Sequence, residues 1–228
     1  MGIASRSRAL VSVDGFAEGG APESVGGMDL RPPPGRQYVL RMALRVEGGD
    51  LRVPEDLAWL APMLELALSH QRSIGVDHPF VYATVRHGVV DSVTDDEWHV
   101  DGFSTRVAHV PEQNYVWCDQ VGTEFAPVAV RFPADFDPLR HNVNHLLADH
   151  VDPAMVGSCA ERTVFCMDPY VLHRRPAGTA GMQRTFVRLS FVPIEIDDVN
   201  NTQNPLLPRA YARDGVAHRN RLETYRRA

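Results

Sequence analysis

The chain has 228 residues, is 44% hydrophobic and carries a net charge of −6, which allows a full core in one domain and argues against a nucleic-acid binder. Its 23 basic residues are all arginine, which excludes Walker-type phosphate binding and lysine Schiff-base chemistry. Three cysteines without Cys-x-x-Cys spacing argue against a zinc ribbon or a disulfide framework. With no apolar signal core and no run of transmembrane length, the expectation is a cytoplasmic protein with no membrane association.

The first 36 residues hold Gly19-Gly20, Gly26-Gly27 and Pro32-Pro33-Pro34-Gly35, a density of breakers that predicts a flexible N-terminal loop or flap. From Gln37 to Val46 the residues Tyr38, Leu40, Met42, Leu44 and Val46 alternate with Arg41 and Arg45, the period of a half-buried strand. Pro54-Glu55-Asp56 has the order of a helix start, and Leu57, Leu60, Leu64 and Leu68 recur at helical spacing. Pro62 interrupts them, which predicts a kink or two short helices.

Phe80–Val85, Asn114–Gln120 and Phe125–Phe132 read as strands, as do Thr163–Leu172 and Gln183–Ile196 around the glycine-bearing loop 176–181. Residues 138–150 form the best second helix and carry His141 and His145 at i, i+4. No Glu follows His141, so surface histidines explain the pair better than a zinc protease site. The fold class is mainly β with flanking helices, a double-stranded β-helix or jelly-roll barrel. The boundaries are one domain over 1–228, a core over 80–193 and a C-terminal extension over 194–228.

The chemistry centres on Trp98-His99-Val100-Asp101-Gly102. In a strand His99 and Asp101 share a face, about 7 Å apart along the chain. Two imidazoles and one carboxylate on one side of a metal leave the other positions open, the arrangement of a non-haem Fe(II) oxygenase. His173, 173 − 99 = 74 residues on, completes the triad through tertiary folding. The same His-x-Asp pattern at His150 and Asp152 closes a helix-like stretch before Pro153 and is set aside.

On these residues the chain resembles the Fe(II)/2-oxoglutarate-dependent dioxygenases over roughly residues 80–193. The resemblance implies Fe(II) held by His99, Asp101 and His173, with 2-oxoglutarate as cosubstrate and O2 as oxidant. It also implies an arginine past the distal histidine for the remote carboxylate of the cosubstrate. Arg184 (184 − 173 = 11) and Arg188 (188 − 173 = 15) are the candidates. Arg184 has the spacing of taurine dioxygenase-like and phytanoyl-CoA hydroxylase-like members, with Thr123 as its partner. Arg188 forms an Arg-x-Ser with Ser190. Two inward arginines on an apolar strand are costly to bury without an anionic partner.

The implied activity is oxidation, foremost hydroxylation, of a small-molecule substrate with release of succinate and CO2. Because Asp101 keeps its carboxylate, halogenation is disfavoured. The alternatives are a cupin-type metal enzyme that uses no 2-oxoglutarate, a peptide or protein hydroxylase, and a non-catalytic binding protein on the same fold. Tyr82, Arg86, Tyr115 and Trp117 lie on strands expected to line the barrel. The tail from Arg209 to Arg227 has six arginines. A cover for the active-site mouth, a homodimer contact, an anionic partner and a plain solvated helix all remain open for it.

Overall fold

The computed structural model describes residues 16–18, 20–89, 96–101, 112–131, 141–142, 147–196, 201–207 and 223–224, of which 16–18, 129–131, 141–142 and 223–224 are described as strands alone. The described chain is mainly β, with antiparallel sheets and few helices. Its strands are β1 (Phe16–Glu18), β2 (Glu23–Gly27), β3 (Tyr38–Arg45), β4 (Phe80–Val89), β5 (Gln113–Cys118), β6 (Glu124–Ala126) and β7 (Ala129–Arg131). They continue with β8 (His141–Asn142), β9 (Gly157–Ser158), β10 (Thr163–Met167), β11 (Leu172–Arg174), β12 (Gln183–Val192) and β13 (Glu223–Thr224).

Six strands form the main sheet in the order β2-β10-β5-β12-β4-β3, and β11-β6-β9 form a smaller one. β1 pairs with β7 and β8 with β13, the last pair parallel. Among the described residues the sheets stay open rather than closing into a barrel.

Alternation along β12 divides the interior in two. Val187, Leu189 and Phe191 point into the main apolar cluster, together with Val81, Ala83 and Val85 of β4, Tyr115 and Trp117 of β5, and Leu57, Leu60, Met63 and Leu64. Each leucine fully buried there contributes about 1.5–3 kcal/mol relative to exposure. The opposite face of the same strand carries Arg184, Phe186, Arg188 and Ser190, and Phe186 packs with Val116, Cys159, Met167 and Val171 and with Phe125 of β6. The small sheet therefore covers part of that second face.

The leucine stripe forms a 3-10 turn over Glu55–Leu60 followed by α1 (Ala61–Ser73), with Pro62 in the first turn of α1. There its missing N–H costs no helical bond, so the proline begins a helix instead of kinking one.

Two sequence expectations are corrected. The stretch 1–36, expected to be a flap, supplies β2, which pairs with β10 at the edge of the main sheet. The core thus includes β2 and β3, well before residue 80. Gly26 reads as a breaker, yet a Cβ there would lie 3.3 Å from Leu66 of α1, so the glycine permits the helix to approach the strand closely. The helix expected over 138–150 is not continuous. His141 and Asn142 form β8, and among the other described residues Ala148–His150 make a 3-10 turn, so His141 belongs to no i, i+4 helical pair, and His145 lies outside the described residues. Strand pairing with β13 overrides the local helical pattern.

The C-terminal extension runs beside β3. Thr202 N–H donates to Arg41 O at 2.6 Å, and the buried Asn204 donates to Ala43 O at 2.8 Å and to Arg52 O at 2.7 Å. This occupies part of an otherwise open sheet edge. The tail expected over 209–227 lies outside the described residues apart from β13.

Candidate metal centre

His99 and His173 face each other across a backbone bridge. His99 N–H donates to His173 O and His173 N–H donates to His99 O, each at 3.0 Å. Their rings lie 4.3 Å apart between centroids. Two neighbouring residues fix these segments: the Arg174 guanidinium sits 4.6 Å over the ring of buried Trp98 and donates to Glu124 at 2.7 Å.

Each histidine places Nδ1 2.8 Å from a carbonyl two residues before it, Glu97 O for His99 and Val171 O for His173. A carbonyl only accepts, so Nδ1 carries the proton in both rings and Nε2 presents its lone pair. Such contacts orient histidine ligands and raise their basicity. The ligand atoms of His99, Asp101 and His173 all lie within 4.8 Å of one another, and no other such group occurs among the described residues.

These residues fit a metal ion. His173 Nε2 is 3.5 Å from Asp101 Oδ2, and a nitrogen and a carboxylate oxygen at that separation are brought together by a shared proton or by a metal ion bound to both. The rejected copy behaves otherwise, since Asp152 accepts from Ala154 N–H at 2.9 Å and caps a short 3-10 turn.

The two candidate arginines occupy different places. Arg188 donates from Nη1 to Asp101 Oδ2 at 2.6 Å. Arg184, 5% exposed, donates from Nε and Nη2 to Val121 O at 3.1 and 2.9 Å and from Nη2 to the Cys118 sulfur at 3.0 Å. Thr123 Oγ1 lies 4.0 Å from that sulfur, so Arg184 and Thr123 converge on Cys118. Burial pushes the Cys118 thiol up from its ordinary range, against the pull of Arg184. Gly122 makes this turn possible: a Cβ there would sit 1.7 Å from Cys159 O.

Ser190 does not contact the arginine it follows. It donates to Asn114 Oδ1 at 2.6 Å, and Asn114 Nδ2 in turn donates to Glu112 at 2.8 Å and more weakly to Asp101 at 3.4 Å. Glu112 is buried, and its carboxyl is raised to about 7, first by burial and then by the neighbouring Asp101. Sequence reasoning missed Glu112, Asn114 and Cys118. The available signal was Asn114, a polar residue on the same parity as Val116 and Cys118 of β5.

Of the residues expected to line the barrel, Tyr82 stands opposite Ser190 and Arg86 opposite Phe186, on the same face as the site. Tyr115 and Trp117 instead belong to the main core on the other face. Gly102 lies outside the described residues.

No family model and no curated protein matches the chain. Among solved structures it is similar to AviO1 from Streptomyces viridochromogenes Tue57, with 17% identity and a TM-score of 0.39 over 75% of this chain and 74% of that one. It is also similar to EvdMO1, with 15% identity and a TM-score of 0.39 over 80% of this chain. The match spans about half, 48%, of EvdMO1.

Proposed function

We propose that the chain is an Fe(II)- and 2-oxoglutarate-dependent oxygenase acting on a small-molecule substrate, and that its two larger sheets are the halves of a double-stranded β-helix. The observation that carries this reading is the ligand set: two imidazole nitrogens and one carboxylate oxygen gathered within 4.8 Å. Two imidazoles and one carboxylate are the donor set of non-haem Fe(II) oxygenases. In this reading iron and 2-oxoglutarate together supply the oxidising power, with succinate and CO2 as coproducts.

The protein's part is positioning. His99 and His173 would present Nε2 to a bound ion, because Glu97 O and Val171 O engage their Nδ1 atoms. Arg188 and Asn114 hold Oδ2 of Asp101. Arg184 offers its charge to the remote carboxylate of 2-oxoglutarate, with Thr123 across the Cys118 sulfur. Arg188 is bonded to Asp101 of the ligand set and so would lie beside a bound ion, which suits it less to a distant carboxylate.

A cupin-type metal enzyme using no 2-oxoglutarate is the second reading. It is favoured by the contacts Arg184 already makes with Gln120 O, Val121 O and Cys118, which suit a structural guanidinium. Anaerobic addition of Fe(II) and then 2-oxoglutarate separates the two. A visible charge-transfer band that saturates with 2-oxoglutarate is expected; iron binding without the band would move the assignment to the second reading.

A further inference from the structure

The antiparallel bridge between His99 and His173 decides which residues oppose one another beside it. The next opposed pair is Trp98 and Arg174, and because side chains alternate along extended chain, this pair lies on the reverse face from the two histidines. The contact between them agrees with that register, since the Arg174 guanidinium lies 4.6 Å over the Trp98 ring. On its other side Arg174 stands opposite Glu124 of β6, and its Nε donates to Glu124 Oε2 at 2.7 Å. A row of Trp98, Arg174 and Glu124 therefore runs directly behind the row of His99, His173 and Phe125.

His99 is an isolated bridge residue, outside the named strands. The segment 96–101, which carries two of the three ligands, meets β11 at that bridge through two backbone hydrogen bonds. Few bonds hold it there, and the side-chain stack adds to them. Glu124 fixes the plane of the guanidinium, and a fixed plane can lie flat on the indole. Trp98 is 6% exposed, so water competes little for the ring face. A ligand already held in place binds an ion more tightly than one that must be ordered as the ion arrives. Trp98 adjoins His99 and Arg174 adjoins His173, so their contact sets the spacing of both histidines in the metal-free chain.

We propose that Arg174 is a positioning residue for the metal centre: stacked on Trp98 and oriented by Glu124, it presets the separation of His99 and His173 and so sets metal affinity and coordination geometry. The inference rests on the reading of His99, Asp101 and His173 as metal ligands and is independent of 2-oxoglutarate.

Titration of Co(II) into the metal-free full chain tests it, because the visible bands of bound Co(II) report affinity and geometry together. Thermal unfolding of the same metal-free proteins reports stability separately. Arg174→Met keeps most of the aliphatic stem and removes the charge and the planar stack. It is expected to weaken Co(II) binding about tenfold or more at unchanged stoichiometry and to shift the bands. Arg174→Lys retains a cation for the ring and for Glu124 without the planar fork, and Trp98→Phe retains a ring that binds a cation less strongly, so both should fall between wild type and Arg174→Met. Wild-type affinity and bands in Arg174→Met and Trp98→Phe, or a lowered thermal midpoint with Co(II) affinity unchanged, would make the stack a structural brace and overturn the inference. So would Arg174→Lys binding no more tightly than Arg174→Met. Should Arg174→Met not fold, Arg174→Lys and Trp98→Phe decide the question by the same two measurements. Absence of Co(II) binding by the wild-type chain would instead remove the triad reading, and this inference with it.

Discussion

Arg188 Nη1 meets Asp101 Oδ2 at 2.6 Å, the same oxygen that faces His173 Nε2 at 3.5 Å. One carboxylate oxygen thus joins a fixed cation on β12 to the ligand set. The Asp101 side chain is 5% exposed and that of Arg188 18%, so the pair is only partly screened by solvent.

Removing Arg188 leaves a buried carboxylate without its cation. Fully buried pairs cost about 3–5 kcal/mol to break in this way, and partial exposure lowers the figure here to about 2–3 kcal/mol. Arg188→Gln is therefore predicted to destabilise the metal-free protein by that amount. A bound divalent ion returns positive charge to Asp101, so the deficit should shrink when metal is present. Denaturant unfolding with and without Mn(II) measures both, and an equal deficit in the two conditions would contradict this account of Asp101.

The metal assignment itself is tested at the histidines. His99→Ala and His173→Ala are predicted to lose stoichiometric divalent-metal binding while keeping the wild-type circular dichroism spectrum. Each leaves two ligands, and the backbone bridge that joins the two segments does not depend on either ring. Undiminished metal content in both purified variants would refute the triad.

The triad was legible in the sequence because both requirements of a strand ligand pair were written locally: two-residue spacing for His99 and Asp101, and a strand context for His173. The same alternation exposed Arg184 and Arg188 as inward. What sequence could not give was the tertiary choice between faces. Tyr115 and Trp117 have strand character either way, and only the packing of α1 decides that they point away from the metal. The strand β2 was hidden because one of its glycines, Gly26, serves a close helix contact at Leu66. Residues 141–142 were misread as helix because their partner, β13, lies about 80 residues further along the chain.

Asn114 gives a prediction about ligand orientation. Its side chain spans Ser190, Glu112 and Asp101, and outer partners of metal ligands typically contribute about 10–100-fold in affinity. Asn114→Ala should weaken Mn(II) binding by about that factor without changing its stoichiometry. Ser190→Ala, one step further out, should weaken it less. The reverse order of effects in a metal titration would show that Asn114 does not orient Asp101.

Glu112 predicts a pH dependence of stability in the metal-free protein. Burial and Asp101 raise its carboxyl from 4.5 to about 7, so between those values the folded state holds a proton that the unfolded state has lost. Its contribution to stability is therefore fully present below about pH 4.5 and is lost as pH rises through about 7. Glu112→Gln, neutral throughout, should flatten the slope of unfolding free energy across this window and exceed the wild type in stability above pH 7. An unchanged slope in the variant would show that Glu112 is ionised in the fold at neutral pH.

Under the oxygenase reading, Arg184 and Arg188 should separate kinetically. Arg184 is almost wholly buried, lies beside Thr123 and Cys118, and stands four residues, about 13 Å along an extended strand, from the arginine that holds Asp101. Loss of a charge-assisted pair in such a site costs about 2–5 kcal/mol. Arg184→Gln should therefore raise the 2-oxoglutarate concentration needed for the anaerobic band by well over tenfold, with iron content unchanged. Arg188→Gln should leave that concentration close to the wild-type value and instead lower substrate-coupled succinate release. Cys118→Ser, which keeps an acceptor for Arg184, should fall between wild type and Arg184→Gln in the same titration. If the midpoint moves in Arg188→Gln and stays fixed in Arg184→Gln, the two roles exchange, and the Cys118 contacts of Arg184 become a structural brace for the turn at Gly122.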